Sequence, residues 1–371
     1  MTDAACTTAL GDSRQSTWDG LINNRSAIRP VNGFSAPFSG KLRVAARIDD
    51  LTSSRRHSRV FSLIDRVLAP FSAVPPASRL ITATTKAGID FFERRRLGET
   101  IDSEDLLLAS IAHHVSRRLD ISGPMLNISA ACASGTLAVG KAAALIATGL
   151  ADSVVVICAD LVTDFVLSGF SALKALSPGP CRPFDRHRQG LSLGEGAAAV
   201  TLMSGECARR HGRPLLGRIL GWGASNDATH MTAPDRNGKG LIQAIHQALG
   251  VAGLSPDDIH AVNAHGTGTI YNDQMEMIAF DAVFGQRPLN VFSIKGAIGH
   301  TLGAAGGIET VIGLESLRRK MIPPTTGFQV AAQGVGDRVS MSAKPSESRY
   351  MLSTNSGFGG VNGALVIGAA A

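Results

Sequence analysis

Several short stretches of this chain are apolar at consecutive positions rather than at alternate ones, Ser153–Cys158 and Ala197–Met203 most clearly. A strand of that kind carries hydrophobic side chains on both faces, so its sheet must be covered above and below. Further strands are expected at Leu80–Ala83, Met125–Ala130, Leu215–Gly221, His260–Asn263, Val291–Ser293, Tyr350–Ser353 and Ala364–Ile367. Leu137–Ile146 and Gly303–Leu317, rich in Ala, Leu and Ile, read as helices. Ser255-Pro256-Asp257-Asp258 reads as a helix start, with a Ser cap, Pro at the first position and acids in the first turn. The pattern is that of an α/β fold in which helices cover sheets. A polar stretch, Ser204–Pro214, separates two halves of comparable strand content and divides the chain into 1–209 and 210–371. Neither a short repeat nor a low-complexity segment is visible.

Composition narrows the function. Aromatic residues make up only 5%, too few for a platform that stacks bases, and no nucleic-acid motif accompanies the basic clusters Arg55-Arg56, Arg94-Arg95-Arg96 and Arg318-Arg319-Lys320. On a chain of net charge +6 these clusters are either solvated helix faces or a docking patch for an acidic partner. Five cysteines, an odd number with no CxxC pair, argue against a disulfide framework and against a zinc site. No run approaches the ~18 apolar residues needed to cross a bilayer, and the start, Met1-Thr2-Asp3, lacks a basic segment followed by an apolar one. A cytoplasmic protein with no membrane contact is expected.

Four clusters carry candidate chemistry. In Ser129-Ala130-Ala131-Cys132-Ala133-Ser134-Gly135-Thr136 a strand gives way to a helix, which sets Cys132 at a helix N-terminus. Free N–H groups and the positive end of the dipole favour a thiolate there. The alternative is a core cysteine among small neighbours, the reading given to Cys6, Cys158, Cys181 and Cys207. In Asn263-Ala264-His265-Gly266-Thr267-Gly268-Thr269 an imidazole ends a strand, and two hydroxyls in a glycine loop can bond an extended polar chain. The competing reading is a structural histidine. In Ser293–Gly306, Lys295 and His300 stand five apart across a glycine-rich turn, and Glu309 on the following helix can neutralise Lys295; a surface lysine beside a capping histidine is the other reading. In Asn355–Gly363, Phe358 is a bulky apolar plug among bare backbone N–H groups, or one side of a plain hairpin.

Taken in order, Cys132, His265, Lys295, His300 and the Gly357–Gly363 loop resemble the elongating β-ketoacyl-[acyl-carrier-protein] synthases of the thiolase superfamily. Arg182-Pro183-Phe184-Asp185, Arg188, Gly190 and Gly194-Glu195-Gly196 share the likeness, which runs from about Thr8 to the C-terminus. The resemblance implies a thiolase fold of two similar halves stacked in five αβαβα layers. It implies decarboxylative Claisen condensation of malonyl-carrier with an acyl group held on Cys132, in fatty-acid, polyene or polyketide elongation. Backbone N–H groups of Cys132 and Phe358 would form the oxyanion hole, and His265 and His300 would hold the enolate oxygen. Lys295 and Glu309 would position His300, and Thr232, Thr267 and Thr269 would hold the phosphopantetheine arm. The implied partners are an acyl carrier protein and a second copy of the chain or a ketosynthase-like subunit. No metal or bound cofactor is implied, the substrates riding on the carrier's phosphopantetheine. Arg55, Arg56 and Arg59 are the expected carrier-docking patch.

Three departures are visible. The N-terminal strand that opens the family is expected to be missing, leaving one sheet edge short. Where the family shows Phe-Gly-Phe-Gly-Gly this chain has Ser356-Gly357-Phe358-Gly359-Gly360, and Leu80–Glu99 lacks the usual glycine-rich turn. The alternatives are a chain-length-factor-like partner without catalysis, against which Cys132 and both histidines stand, and a thiolase, which needs a second cysteine near the C-terminus where this chain has Gly357-Phe358-Gly359-Gly360.

Overall fold

The computed structural model describes residues 1–31, 43–54, 57–101 and 103–370. Ten strands form two five-stranded sheets. The first holds β1 (Asp3–Thr8), β2 (Arg79–Ala83), β3 (Met125–Ile128), β4 (Ser153–Asp160) and β5 (Gly196–Met203). The second holds β6 (Gly217–Asn226), β7 (Ala261–Asn263), β8 (Asn290–Phe292), β9 (Tyr350–Gly357) and β10 (Val361–Ala369). Their spatial orders are β3-β2-β4-β5-β1 and β8-β7-β9-β10-β6, the same path run twice. In each, the first three strands are parallel and the last two join antiparallel.

Every residue of β4 is buried, as is all of β5 but Met203 at its end, which is what consecutive apolar positions demand. Helices α1 (Arg59–Leu68) and α2 (Leu108–Leu119) cover the outer face of the first sheet. Helix α3 (Ser134–Ala147) lies between the sheets, and α4 (Asp164–Ala172) flanks them. Helices α5 (Lys239–Ala252) and α6 (Ile270–Phe284) lie on the outer side of the second sheet, and α7 (Ala305–Arg319) joins α3 in the central layer. The five layers are those of the thiolase fold. The largest core cluster sits in the middle, with Ala138, Val139 and Ala142 of α3 against Ile308, Val311 and Ile312 of α7.

Glycines set how closely the two central helices approach. A Cβ on Gly135 would lie 2.6 Å from the backbone N of Gly307, and one on Gly306 would collide with the backbone of Thr136. No side chain can yield at such a contact, because the obstacle is main chain.

Two sequence expectations change. The N-terminal strand is present: β1 pairs with β5 along its whole length, from Asp3 opposite Thr201 to Thr8 opposite Gly196, so that sheet edge is not shortened. Ser255 does cap a turn, its N–H and Oγ both 2.8 Å from Asp258 Oδ2, but the helix stops after one 3₁₀ turn, Pro256–Asp258. Ile259 is fully buried and extended, and it draws the chain into β7 before a second turn forms.

Gly306→Ala is expected to destabilise the protein by about 1–3 kcal/mol or more through overpacking, read as a lower midpoint in urea with an unchanged slope. An unchanged midpoint would mean that the helices can separate at little cost.

Candidate active site

The reactive side chains sit on loops that leave the C-terminal ends of parallel strands, where open α/β sheets bind ligands. After β3 the chain turns at Ala131, which is left-handed at φ 47°, and reaches Cys132 two residues before α3. Ser134 Oγ pins this turn, accepting from Ala130 N at 2.8 Å and donating to Ala131 O at 2.6 Å. Burial pushes the Cys132 thiol up to about 11; Lys295, Lys86 and the Phe358 N–H pull the other way without cancelling it. The resting group is therefore a thiol, not the thiolate expected from the helix start alone. Desolvation outweighs the dipole at this depth.

His300 stands 2.9 Å from Cys132 Sγ through Nε2. Its other ring nitrogen, Nδ1, accepts the Leu302 N–H at 3.3 Å, so the proton is on Nε2 and that nitrogen is a donor. Leu302 is left-handed at φ 55°, which turns its amide back onto the ring. The backbone of His300 is clamped as well, its N–H to Ser192 O at 2.7 Å and its carbonyl to Gly194 N at 3.0 Å. The His300 ring thus takes its orientation from main chain. Lys295 Nζ instead bonds Glu309 Oε1, and Asn355 Nδ2 bonds Glu309 Oε2, all of them buried. Among the described residues neither Lys295 nor Glu309 bonds the His300 ring, and Lys295 acts on it through its charge.

His265 meets His300 edge to face, with ring centroids 5.1 Å apart and planes at 85°. Glu276 and Asp273, both on α6, hold its loop. Glu276 accepts the His265 and Gly266 N–H groups at 2.7 Å each, and Asp273 Oδ1 accepts those of Thr267 and Gly268 at 3.1 and 3.2 Å. Burial, then the neighbouring Asp273, raises Glu276 to about 8 despite these donors. Both imidazoles lie well below their usual range, first through burial and then through the cation of Lys295. Both are neutral at physiological pH.

Ligand atoms of Cys132, His265 and His300 lie within 4.8 Å of one another, close enough for three donors to one metal. The proton on His300 Nε2 opposes that use, since a ligating nitrogen must offer its lone pair. The same spacing suits two imidazoles set around one oxygen beside a thiol.

Two cavities meet at Cys132. One, of about 360 Å³, is lined by Thr232, Thr267, Thr269, His265, His300 and Phe358 and opens toward solvent past Met231, Ile270 and Tyr271. The other, of about 320 Å³, is walled by Phe165, Val166, Phe170, Leu173, Leu302 and Phe358, with Lys86 on its lining. Phe358 borders both and stacks on Phe170 of α4, with centroids 5.7 Å apart. Ser356, where the family carries its first aromatic, lines the first of these cavities, and its hydroxyl bonds Asn362 Oδ1 at 2.7 Å.

The remaining expectations fare unevenly. Arg55 and Arg56 lie outside the described residues. Arg59 is buried on α1 and bonds Glu195 Oε1 at 2.7 Å, so it cannot face a partner; Glu195 also accepts the N–H groups of Ile48 and Val162. Other basic clusters are partly neutralised, Arg94 by Glu99, Arg318 and Arg319 by Glu315, and Lys320 by Glu347. All five cysteines are free and buried. No helix among the described residues is long and apolar enough to cross a membrane. Sequence reasoning assigned no part to Lys86, Phe170, Asn355 or the carboxylates of Asp273 and Glu276. For the last two, spacings of four and seven residues from Thr269 on one helix were the available signal.

Residues 92–208 match the family model for the β-ketoacyl synthase N-terminal domain, and residues 216–329 the model for its C-terminal domain. The chain is 30% identical to 3-oxoacyl-[acyl-carrier-protein] synthase 2 of Coxiella burnetii over 99% of this chain and 97% of that protein. It is similar to a ketosynthase solved in complex with its chain length factor from Xenorhabdus doucetiae, with a TM-score of 0.88 and 29% identity over 100% of this chain and 97% of that one. The ishigamide ketosynthase/chain length factor gives a TM-score of 0.92 at 26% identity, over 100% and 98%. The chain belongs to the β-ketoacyl synthase family, acyltransferases of thiolase fold that lengthen acyl chains by condensation in fatty-acid or polyketide elongation.

Proposed function

We propose that Cys132 is the acyl carrier of this synthase and that His265 and His300 bind the malonyl thioester oxygen. The observation that carries the reading is the convergence of one thiol and two neutral imidazoles where two cavities meet. In the first step Cys132 Sγ attacks the thioester of an acyl carrier protein, the carbonyl electrons pass to the oxygen, and the N–H groups of Cys132 and Phe358 hold that oxyanion. Collapse expels the pantetheine thiolate, which takes the proton that Cys132 has lost. Malonyl-carrier then enters past Thr232, Thr267 and Thr269, which hold the pantetheine. Loss of CO2 leaves its electron pair as an enolate, whose oxygen the two histidines stabilise. The enolate carbon attacks the Cys132 thioester, expels the cysteine sulfur as a thiolate that takes a proton from water, and leaves β-ketoacyl-carrier. Every step is met by donors already in position, and no metal or bound cofactor takes part.

The acidic carrier would dock at the rim of the cavity lined by the three threonines, where Lys174 and the exposed Met231, Ile270 and Tyr271 combine charge with apolar surface. The reducing cytoplasm suits an enzyme with five free cysteines. A dimer would form through β3, the outermost strand of the first sheet, whose Met125 and Leu126 are 41% and 46% exposed. Pairing two such edges covers unpaired backbone and apolar side chains together. The second chain is a copy of this one; the neighbours solved with chain length factors support a related subunit as the alternative.

His265→Ala and His300→Ala are each expected to slow malonyl-carrier decarboxylation roughly a hundredfold or more while Cys132 still accepts an acyl group. Because both imidazoles are depressed and neutral, the wild-type decarboxylation rate should stay level from about pH 8 down to about pH 6, falling only below the ordinary imidazole range. Half-maximal rate near 6.5, or decarboxylation indifferent to both substitutions, would remove the histidines from this role. Leu126→Asp should convert the dimer to monomer in sedimentation velocity, and an unaltered dimer would place the interface elsewhere.

A further inference from the structure

The second cavity, open to solvent at Phe165 and Leu173, has a largely apolar wall with one charge in it. Phe165, Val166, Phe170, Leu173, Leu302 and Phe358 offer nothing to a polar group, yet Lys86 lines the same space as Cys132. Lys86 sits on the loop after β2, in a turn closed by Ala87 N to Thr84 Oγ at 3.0 Å, with Ala87 left-handed at φ 44°. Among the described residues its ammonium makes one hydrogen bond, to Thr85 Oγ at 2.6 Å, and no ion pair. Asp160, which anchors the same turn, does not bond it. Asp160 takes the hydroxyls of Thr84 and Thr85 at 2.9 and 2.8 Å and the N–H groups of Thr85 and Gly303 at 3.1 and 2.7 Å. The Thr85 hydroxyl stands between the two charges, its proton turned to Asp160 and its lone pair to Lys86.

A partly buried ammonium on a cavity lined by aromatic rings, with a single neutral hydrogen-bond partner, has room for an anion. The cavity therefore suits an occupant that brings one. We infer that Lys86 selects the acyl group carried on Cys132, favouring chains that bear a carboxylate, the half-thioesters of dicarboxylic acids, over plain alkyl chains. The carboxylate would meet the Lys86 ammonium while the methylene stem lies against Phe165, Phe170 and Leu173. The inference rests on Cys132 holding the acyl group, so its test is kept independent of transfer.

The probes are pantetheine amides, which bind like thioesters but cannot acylate a cysteine. Pairs matched in length, one ended by a carboxylate and one by a methyl group, are titrated calorimetrically against wild type, Lys86→Met and Lys86→Arg over a graded series of lengths. At one length the wild type should favour the carboxylate member by about tenfold or more, a preference that Lys86→Met reverses and Lys86→Arg keeps in part. A wild type that favours the methyl member at every length, or a preference that survives in Lys86→Met, overturns the proposal. Failure of Cys132 to acylate from real thioesters would sink the nucleophile and leave this binding result standing.

Discussion

The site depends on a buried ion pair. Lys295 and Glu309 are about 1% exposed, and they tie the loop after β8 to helix α7, while Asn355 joins β9 to the same carboxylate. Removing either partner would strand a charge in the centre of the protein, a loss of about 3–5 kcal/mol. The pair also sets the chemistry. The ammonium lies close enough to His265 and His300 to help hold both rings neutral, and a neutral ring donates a hydrogen bond to an enolate without carrying a charge of its own. The same cation favours the thiolate of Cys132 against the burial that opposes it. One lysine thereby serves opposite demands on a thiol and two bases, and it does so by charge and not by contact.

The duplicated topology explains why these groups meet. Each half runs its strands in the same order, and equivalent loops face one another across the central helices. The loop after β3 carries Cys132, and its counterpart after β8 carries Lys295 and His300. The loop after β2 carries Lys86, and its counterpart after β7 carries His265. One half brings Cys132 and Lys86, the other His265, Lys295 and His300, and both halves line the two cavities that meet at Cys132. Close packing of α3 on α7 through Gly135, Gly306 and Gly307 sets how far apart the halves stand, and so the 2.9 Å between His300 and Cys132.

Much of this was legible in the sequence because strand, turn and helix signals bracket each reactive residue. Cys132, His265, Lys295, His300 and Phe358 could be named from local context, and the burial of β4 and β5 followed from their unbroken apolar runs. The two similar halves followed from the family resemblance and from the comparable strand content on either side of Ser204–Pro214. Their shared strand order was not legible, since two halves can share a path through space while sharing no repeat in residue type. Asp3–Thr8 was missed because a short edge strand of mixed polarity has no period to betray it. Arg59 was misread for a different reason. A basic cluster carries no information about depth, and the acid that buries it, Glu195, lies 136 residues away. The thiolate expected at Cys132 failed in the same manner: a helix start is local, whereas desolvation is a property of the assembled layers.

The central claim is that Cys132 takes the acyl group while the histidines wait for malonate. Intact-mass measurement after incubation with a series of acyl-carrier donors, without malonyl-carrier, tests it most directly. The account predicts a single adduct of the acyl mass on wild type and on His300→Ala, and none on Cys132→Ala. An adduct that persists in Cys132→Ala, or folded wild type that no donor acylates, would contradict it.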